Sequence, residues 1–273
     1  MKIGDIEITP LSDGELHIPP TELLNKDMDA WQRHREFLDD EQLLPVNFGG
    51  FLVRTPAHVV VVDTGIGGGA IPELAIGSFP DKLNEAGVVP DDVDVVVFTH
   101  LHFDHVGWST DGRTPMFGNA AHHCSKVDWD YWCGPDATAE TGPGRDEFGA
   151  IPAPERLAPL ADRMNFFDGE AEIIPGVRVL PAPGHTPGHY VVEISSNEET
   201  ALLLADVAHS PAELLEDDWS SPTDEDADLA QRTRAELARH LIETGAAATM
   251  THFGGNGFGR LTEKDGNRSW RPV

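Results

Sequence analysis

Three imidazoles and a carboxylate stand within six residues, His100-Leu101-His102-Phe103-Asp104-His105, directly after the apolar stretch at 93–99. Imidazole and carboxylate without thiolate suit Zn, Fe, Mn or Co, and such sites are more often catalytic than structural. His100 and His102 lie two apart, so an extended chain turns both to one side, while Asp104 and His105 follow where the backbone should turn. One short loop could thus feed two metal positions, the arrangement in which a metal pair clamps a water. Later in the chain, His185 sits in the Gly/Pro-constrained turn 183–189, Asp206 follows the apolar run 202–205, and His252 follows 248–251. A buried strand that ends in Asp or His needs a partner for that polar group, and a metal provides one. Together these are seven ligands, five His and two Asp, enough for two ions. Single histidines such as His17, His34, His58 and His240 read as structural.

The elements that must position these residues can be read coarsely. Residues 27–44 suggest an acidic amphipathic helix with Met28, Trp31, Phe37, Leu38 and Leu43 as its apolar positions. Residues 48–54 and 58–63 suggest a hairpin turning at Thr55-Pro56. The loop at 63–69 is glycine-rich but lacks a Gly-Lys-Ser/Thr ending, which argues against a nucleotide site and for a tight loop carrying Asp63. A short helix at 80–86, the strand at 93–99, a strand at 116–124 and a helix at 125–131 come next. Residues 134–154 read as a long surface loop or lid, a common place for substrate selection. Strands at 172–174, 177–180, 189–194 and 201–205, a helix at 226–244 and a last strand at 247–251 complete the pattern. This order indicates helix layers covering two packed sheets.

Composition bounds the function. The 273 residues suffice for one large α/β domain spanning 1–273, with no linker or repeat to divide it. A formal net charge of −28 repels nucleic acid and anionic membranes, so neither is expected as a partner. The opening residues alternate like a strand and show no signal-peptide core, and the longest apolar runs are strand-sized, so a soluble cytoplasmic protein is expected. Cys124 and Cys133 read as buried thiols.

On these residues the chain resembles the metallo-β-lactamase-fold superfamily, whose pattern is His-x-His-x-Asp-His followed by a distant His, a bridging Asp and a last His. Thr99, Gly184, Thr186, Pro187, Gly188 and His189 are also typical of it. The resemblance implies a four-layer αββα sandwich with a dinuclear site at the sheets' edge, most simply two Zn, with Mn, Co or Fe as other options. It implies that His100, His102 and His185 hold one ion, that Asp104, His105 and His252 hold the other, and that Asp206 bridges. Asp63 and His189 would orient ligands. The implied enzyme is a metal-dependent hydrolase that uses a bridging hydroxide on a lactone or ester of a largely uncharged small molecule, with Asp104 as proton shuttle.

Within the superfamily, the lactonase and methyl-parathion-hydrolase-like branches are the most similar. The segment Ile8-Thr9-Pro10-Leu11-Ser12-Asp13-Gly14 and the loop at 252–259 resemble the second of these. Phosphotriester hydrolysis is therefore an alternative, and a mono-iron dioxygenase is one from another class. Acyl-homoserine lactonases carry a Tyr three residues after the bridging Asp, where this chain has His209, which could donate a hydrogen bond to substrate or titrate near neutral pH. Trp31, Phe48, Trp108, Phe253 and Phe258 are candidates for lining an apolar pocket. A homodimer is compatible with all of this.

Overall fold

Strands that are apolar at every position, such as those around Val60 and Val96, have to be covered on both faces. The computed structural model describes residues 1–68, 76–135, 137, 149–254 and 257–273, and it places both strands inside a sheet. Among the described residues the first sheet has seven strands in chain order: β1 (Lys2–Ile3), β2 (Ile6–Ile18), β3 (Leu44–Arg54), β4 (Val59–Val62), β5 (Val95–Val97), β6 (Ala121–Ser125) and β7 (Met164–Phe167). It is antiparallel up to β4 and parallel from β4 to β7. The second sheet also runs in chain order: β8 (Ala171–Ile174), β9 (Val177–Pro181), β10 (Tyr190–Ser196), β11 (Glu199–Leu203), β12 (Ala247–Thr249), β13 (Gly259–Lys264) and β14 (Asn267–Pro272). Its one parallel pair is β11 with β12.

Alternation within each strand divides the apolar residues between layers. Val60, Val62, Val95 and Val97 meet Val177, Val179, Val192, Ile194 and Leu203 between the sheets. Val61 and Val96 point the other way, to Phe79 and Leu83 of the helix Phe79–Glu85 and Trp132 of the helix Lys126–Cys133. On the far side, Val191, Leu202 and Ala248 pack against Ala238 and Leu241 of the helix Ala227–Thr244. The layers are therefore helix, sheet, sheet, helix, as expected. The last helix buries Ala230, Arg234, Ala238 and Leu241 along one face, starts where the Asp226 side chain accepts from Leu229 N, and stops at Gly245 in the left-handed region.

Several elements differ from the sequence reading. Residues 27–44 form no single helix: one turn at Met28–Trp31 and a 3-10 turn at Arg35–Phe37 precede β3, which already begins at Leu44. The Asp39 carboxylate accepts from Glu41 N and Leu43 N, and Gln42 has φ 63°, so the chain bends away before a helix can continue. The strand expected at 116–124 shortens to β6, after the Pro115 and Gly118-Asn119 breakers. β2 runs to Ile18, well beyond the alternating opening residues, and β13 and β14 form a further hairpin. Most of the proposed lid, together with Gly69 of the glycine-rich loop and Gly255 and Asn256 of the 252–259 loop, lies outside the described residues. Cys124 is buried and Cys133 partly so, both as free thiols. Among the described residues no helix is long and apolar enough to cross a membrane.

Candidate metal centre

The parallel strands explain why distant residues meet. The residues after β4, β5, β11 and β12 all emerge at strand C-terminal ends, and they carry Asp63, His100, Asp206 and His252. His102 stays extended at ψ 153°, and Asp104 and His105 fall on the single helical turn Phe103–Val106. The chain thus turns between the two ligand pairs, as the spacing predicted. His185 arrives on the loop between β9 and β10. Gly184 there has φ 134°, and a Cβ on it would stand 2.2 Å from Ala230 N, so only glycine lets this loop lie against the last helix.

All seven residues converge, each buried. They form two sets, His100, His102, His185 and Asp206 in one and Asp104, His105 and His252 in the other, with ligand atoms inside 4.8 Å of one another within each set. Asp206 reaches both: its Oδ2 lies 3.4 Å from His185 Nε2 and 3.1 Å from His252 Nε2, and its Oδ1 lies 3.3 Å from His105 Nε2. His252 Nε2 is 3.5 Å from Asp104 Oδ2, and His185 Nε2 is 3.0 Å from His102 Nδ1. Ligands about 2.1 Å from a tetrahedral ion stand about 3.4 Å apart, so these separations suit metal coordination. The Nε2 atoms of His100 and His105 and Asp206 Oδ1 are buried without a hydrogen-bond partner, which a metal would supply. The donor set fits two ions.

The far sides of three of these rings are held. His105 Nδ1 lies 2.9 Å from Asp63 Oδ2, and the same carboxylate accepts from Thr99 N and Thr99 Oγ1. His185 Nδ1 meets Asp224 Oδ1 at 3.2 Å, and His252 Nδ1 donates to the Asn47 carbonyl at 2.8 Å. His189 Nε2 accepts from Asp206 N at 3.2 Å. Asp63 thus lies behind the His105 ring and His189 against the backbone of Asp206, and Asp224 and Asn47 stand behind two further rings. Asp128, missed in the sequence reading, is fully buried and accepts from Leu101 N, Thr186 Oγ1 and Gly188 N, tying the first ligand loop to the His185 loop. A buried carboxylate on a polar stretch such as 125–131 reads in sequence like any surface Asp. Ala205, at φ 47°, is a left-handed non-glycine residue directly before Asp206, a strained backbone beside the carboxylate that faces both sets.

Burial pushes the imidazoles of His100 and His185 well below their ordinary range, His102 down to about 4 and His189 to about 3. Neutral rings are the state a metal needs. His105 goes the other way. Burial opposes its charge, but the carboxylates of Asp206, Asp63 and Asp104 outweigh it and hold the ring well above the usual value. At Asp206 burial opposes ionisation, and the His252 and His105 rings overcome it, so its carboxyl lies well below the ordinary range. Burial lifts Asp128 to about 6.

A small cleft of about 160 Å³ opens on this cluster. Its apolar wall is Leu16 and Ile18 from β2, Leu23, Val46 and Phe48 from β3, and Phe103. Of the five aromatic candidates only Phe48 lines it, edge-on to His252 at 5.4 Å. Trp31 is fully buried against Trp219, Phe258 lies between the sheets, and Phe253 packs on Phe37 and Trp270. Trp108 donates to Asp13 and lines a separate cavity. His209 does face the cleft, with Nε2 3.7 Å from Asp206 Oδ2 and Nδ1 3.4 Å from Glu213 Oε2. Against the burial penalty, Glu213 and then Asp206 lift its pKa to about 9, so it does not titrate near neutrality in the metal-free protein.

Similarities to known proteins agree with this geometry. The profile of the Metallo-beta-lactamase superfamily matches residues 50–244. An N-acyl homoserine lactonase of Bacillus thuringiensis is 26% identical over 185 residues, covering 62% of this chain and 66% of that protein. The chain therefore spans just under two-thirds of the length of the curated relative it matches. Among solved structures, AidC, a dizinc quorum-quenching lactonase in complex with a product N-hexnoyl-L-homoserine, superposes with a TM-score of 0.85 at 26% identity, covering 100% of this chain and 96% of that one. The hydrolase AbOPH of the beta lactamase superfamily gives 0.83 at 26% identity, with the same coverage.

Proposed function

The chain belongs to the metallo-beta-lactamase superfamily, and from that premise we propose that it is a dinuclear-metal hydrolase that opens lactones bearing an apolar chain. The observation that carries this reading is the meeting of seven buried donors at the floor of an apolar cleft. The names of its relatives, an N-acyl homoserine lactonase and a dizinc lactonase, point the same way. We assign His100, His102 and His185 to one ion, Asp104, His105 and His252 to the other, and Asp206 to both. Zinc is the proposed metal, and the donor types also suit Mn, Co and Fe.

Two bound divalent ions would supply hydroxide at neutral pH, because coordination lowers the pKa of water to about 7. The chain's own residues do the rest. Leu16, Ile18, Leu23, Val46, Phe48 and Phe103 hold the apolar part of the substrate and keep bulk water out. His209 turns Nε2 into the cleft and, with its pKa near 9 before metal loading, offers an N–H to a substrate oxygen. This gives His209 the donor role of the tyrosine that resembles it in position. Asp104 faces the same space, and its carboxylate would take the proton of the attacking hydroxide and pass it to the ring oxygen as the acyl C–O bond breaks. Among the described residues no Lys or Arg lines the cleft, which favours an uncharged substrate.

The test is an activity panel on protein reconstituted with Zn, Mn or Co, covering acyl lactones, aryl esters, phosphotriesters and β-lactams. Lactones are expected to turn over fastest. Protein with two metals bound that hydrolyses neither lactone nor ester would end this reading. Faster phosphotriester turnover would replace it with phosphotriester hydrolysis, and a single Fe with oxygen consumption would replace it with dioxygenase chemistry.

A further inference from the structure

Behind the cleft lies a buried cation that neither the metal set nor the substrate wall accounts for. Arg234 projects from the last helix and is 3% exposed. Its Nε donates to Val207 O at 2.6 Å and its Nη1 to Trp219 O at 2.8 Å. Its Nη2 stands 3.2 Å from Glu213 Oε1 and 3.5 Å from Asp224 Oδ2, and both carboxylates are fully buried. Each carboxylate turns its other oxygen to an imidazole of the site. Asp224 Oδ1 lies 3.2 Å from His185 Nδ1. Glu213 Oε2 lies 3.4 Å from His209 Nδ1 and also accepts from His209 N at 2.6 Å and Ser210 N at 3.2 Å. The result is one continuous array, His185–Asp224–Arg234–Glu213–His209. The Nε contact adds a hold on the residue directly after Asp206.

A buried ion pair kept only for stability can often be exchanged for apolar residues of similar volume. This one is built differently, because both of its ends finish on rings that face the cleft. A carboxylate behind Nδ1 fixes a ring's orientation and tautomer, the usual support of a metal-binding histidine. Here one guanidinium supports two such carboxylates, one behind a metal-holding ring and one behind the ring proposed to grip substrate. Planar, with donors in a fixed fork, Arg can address both carboxylates and two carbonyls together, which the point charge of Lys cannot.

We propose that Arg234 is a positioning residue that sets His185 and His209 in one fixed relation, so that the metal pair and the substrate grip are aligned by a single buried cation. The substrate half of this inference rests on the lactone reading above, and the metal half does not.

The experiment compares Asp224→Asn, Glu213→Gln, Arg234→Gln and the Glu213→Gln/Arg234→Gln double variant as full-length holoenzymes. Zinc affinity is read by chelator competition, and KM and kcat on an acyl lactone are read separately. Asp224→Asn is expected to weaken zinc binding about 10–100-fold, while Glu213→Gln stays within twofold of the parent in zinc affinity and raises KM roughly tenfold, the size of one misdirected charged hydrogen bond. Arg234→Gln is expected to show both losses, and the double variant to have a KM no worse than Arg234→Gln alone, since the two act through one array. Arg234→Lys, which keeps the charge, serves if the Gln variant does not fold, and it is expected to show both losses in weaker form. An Arg234 variant that melts lower yet keeps zinc affinity and KM within twofold reduces the array to a structural ion pair and overturns the proposal. So do Glu213 and Arg234 effects on KM that simply multiply. If the parent holds two zinc ions but opens no lactone, the functional reading fails, and the zinc measurements still decide the Asp224 half.

Discussion

Among single side chains, His105 behaves unlike its neighbours. Burial keeps His100, His102 and His185 neutral, but three carboxylates hold His105 well above the ordinary imidazole range, so at neutral pH the metal-free ring is protonated. A metal can use only the deprotonated ring. The sign follows: binding must release that proton, and lowering the pH must weaken binding. Zinc titrations of the apo-protein in buffers of different ionisation enthalpy are expected to show between about one and two protons released per chain near pH 7, one from His105 and the rest from the metal-held water, with affinity rising as pH rises. No proton release would remove His105 from the ligand set. Asp104 makes a different claim. Asn keeps an oxygen for the metal but cannot carry the proton, so Asp104→Asn is expected to retain both metals while kcat falls by roughly 10²–10⁴. Full turnover with both metals bound would take the shuttle role away from Asp104.

Elements matter here through what joins them. Asp128, on the helix Lys126–Cys133, is the shared acceptor for the loop before the Phe103–Val106 turn and for the loop that carries His185. Asp128→Ala leaves two backbone N–H groups and a hydroxyl unmatched in a buried place. The expected loss is about 3 kcal/mol or more, which in a chain of this size lowers Tm by roughly 6–12 °C. An unchanged melting curve would show that the two loops hold their places without it. The sequence made the ligand loops legible because chemistry-bearing residues stood directly after apolar strands, where few alternatives exist. It hid the supports, since Asp128, Glu213 and Asp224 have no local pattern that marks them as buried. Periodicity misled at 27–44, where Trp31 and Leu44 are both buried but belong to different elements, and the Asp39 turn between them outweighs helical spacing. The β13–β14 hairpin had a signal that could have found it: Asp265-Gly266, both at positive φ, is the turn dipeptide that closes tight hairpins.

For the molecule as a whole the dominant quantity is the formal charge of −28. Two divalent cations would neutralise only a small part of it. Like charges spread over one surface repel, which destabilises the compact state, and salt screens that repulsion as the Debye length falls from about 30 Å at 0.01 M to about 3 Å at 1 M. Melting temperature is therefore expected to rise as NaCl increases over this range. The same field bears on the proposed turnover. A lactone enters the cleft uncharged, but the hydroxy acid formed from it is an anion at neutral pH, so the field acts on product and leaves substrate alone. Inhibition by the ring-opened acid should then be weaker at low salt than at high salt, while KM for the neutral lactone changes by less than about twofold. Steady-state kinetics with added product at the two ionic strengths separates the outcomes. Product inhibition that strengthens at low salt would mean that the local field of the metal pair, not the surface charge, governs release.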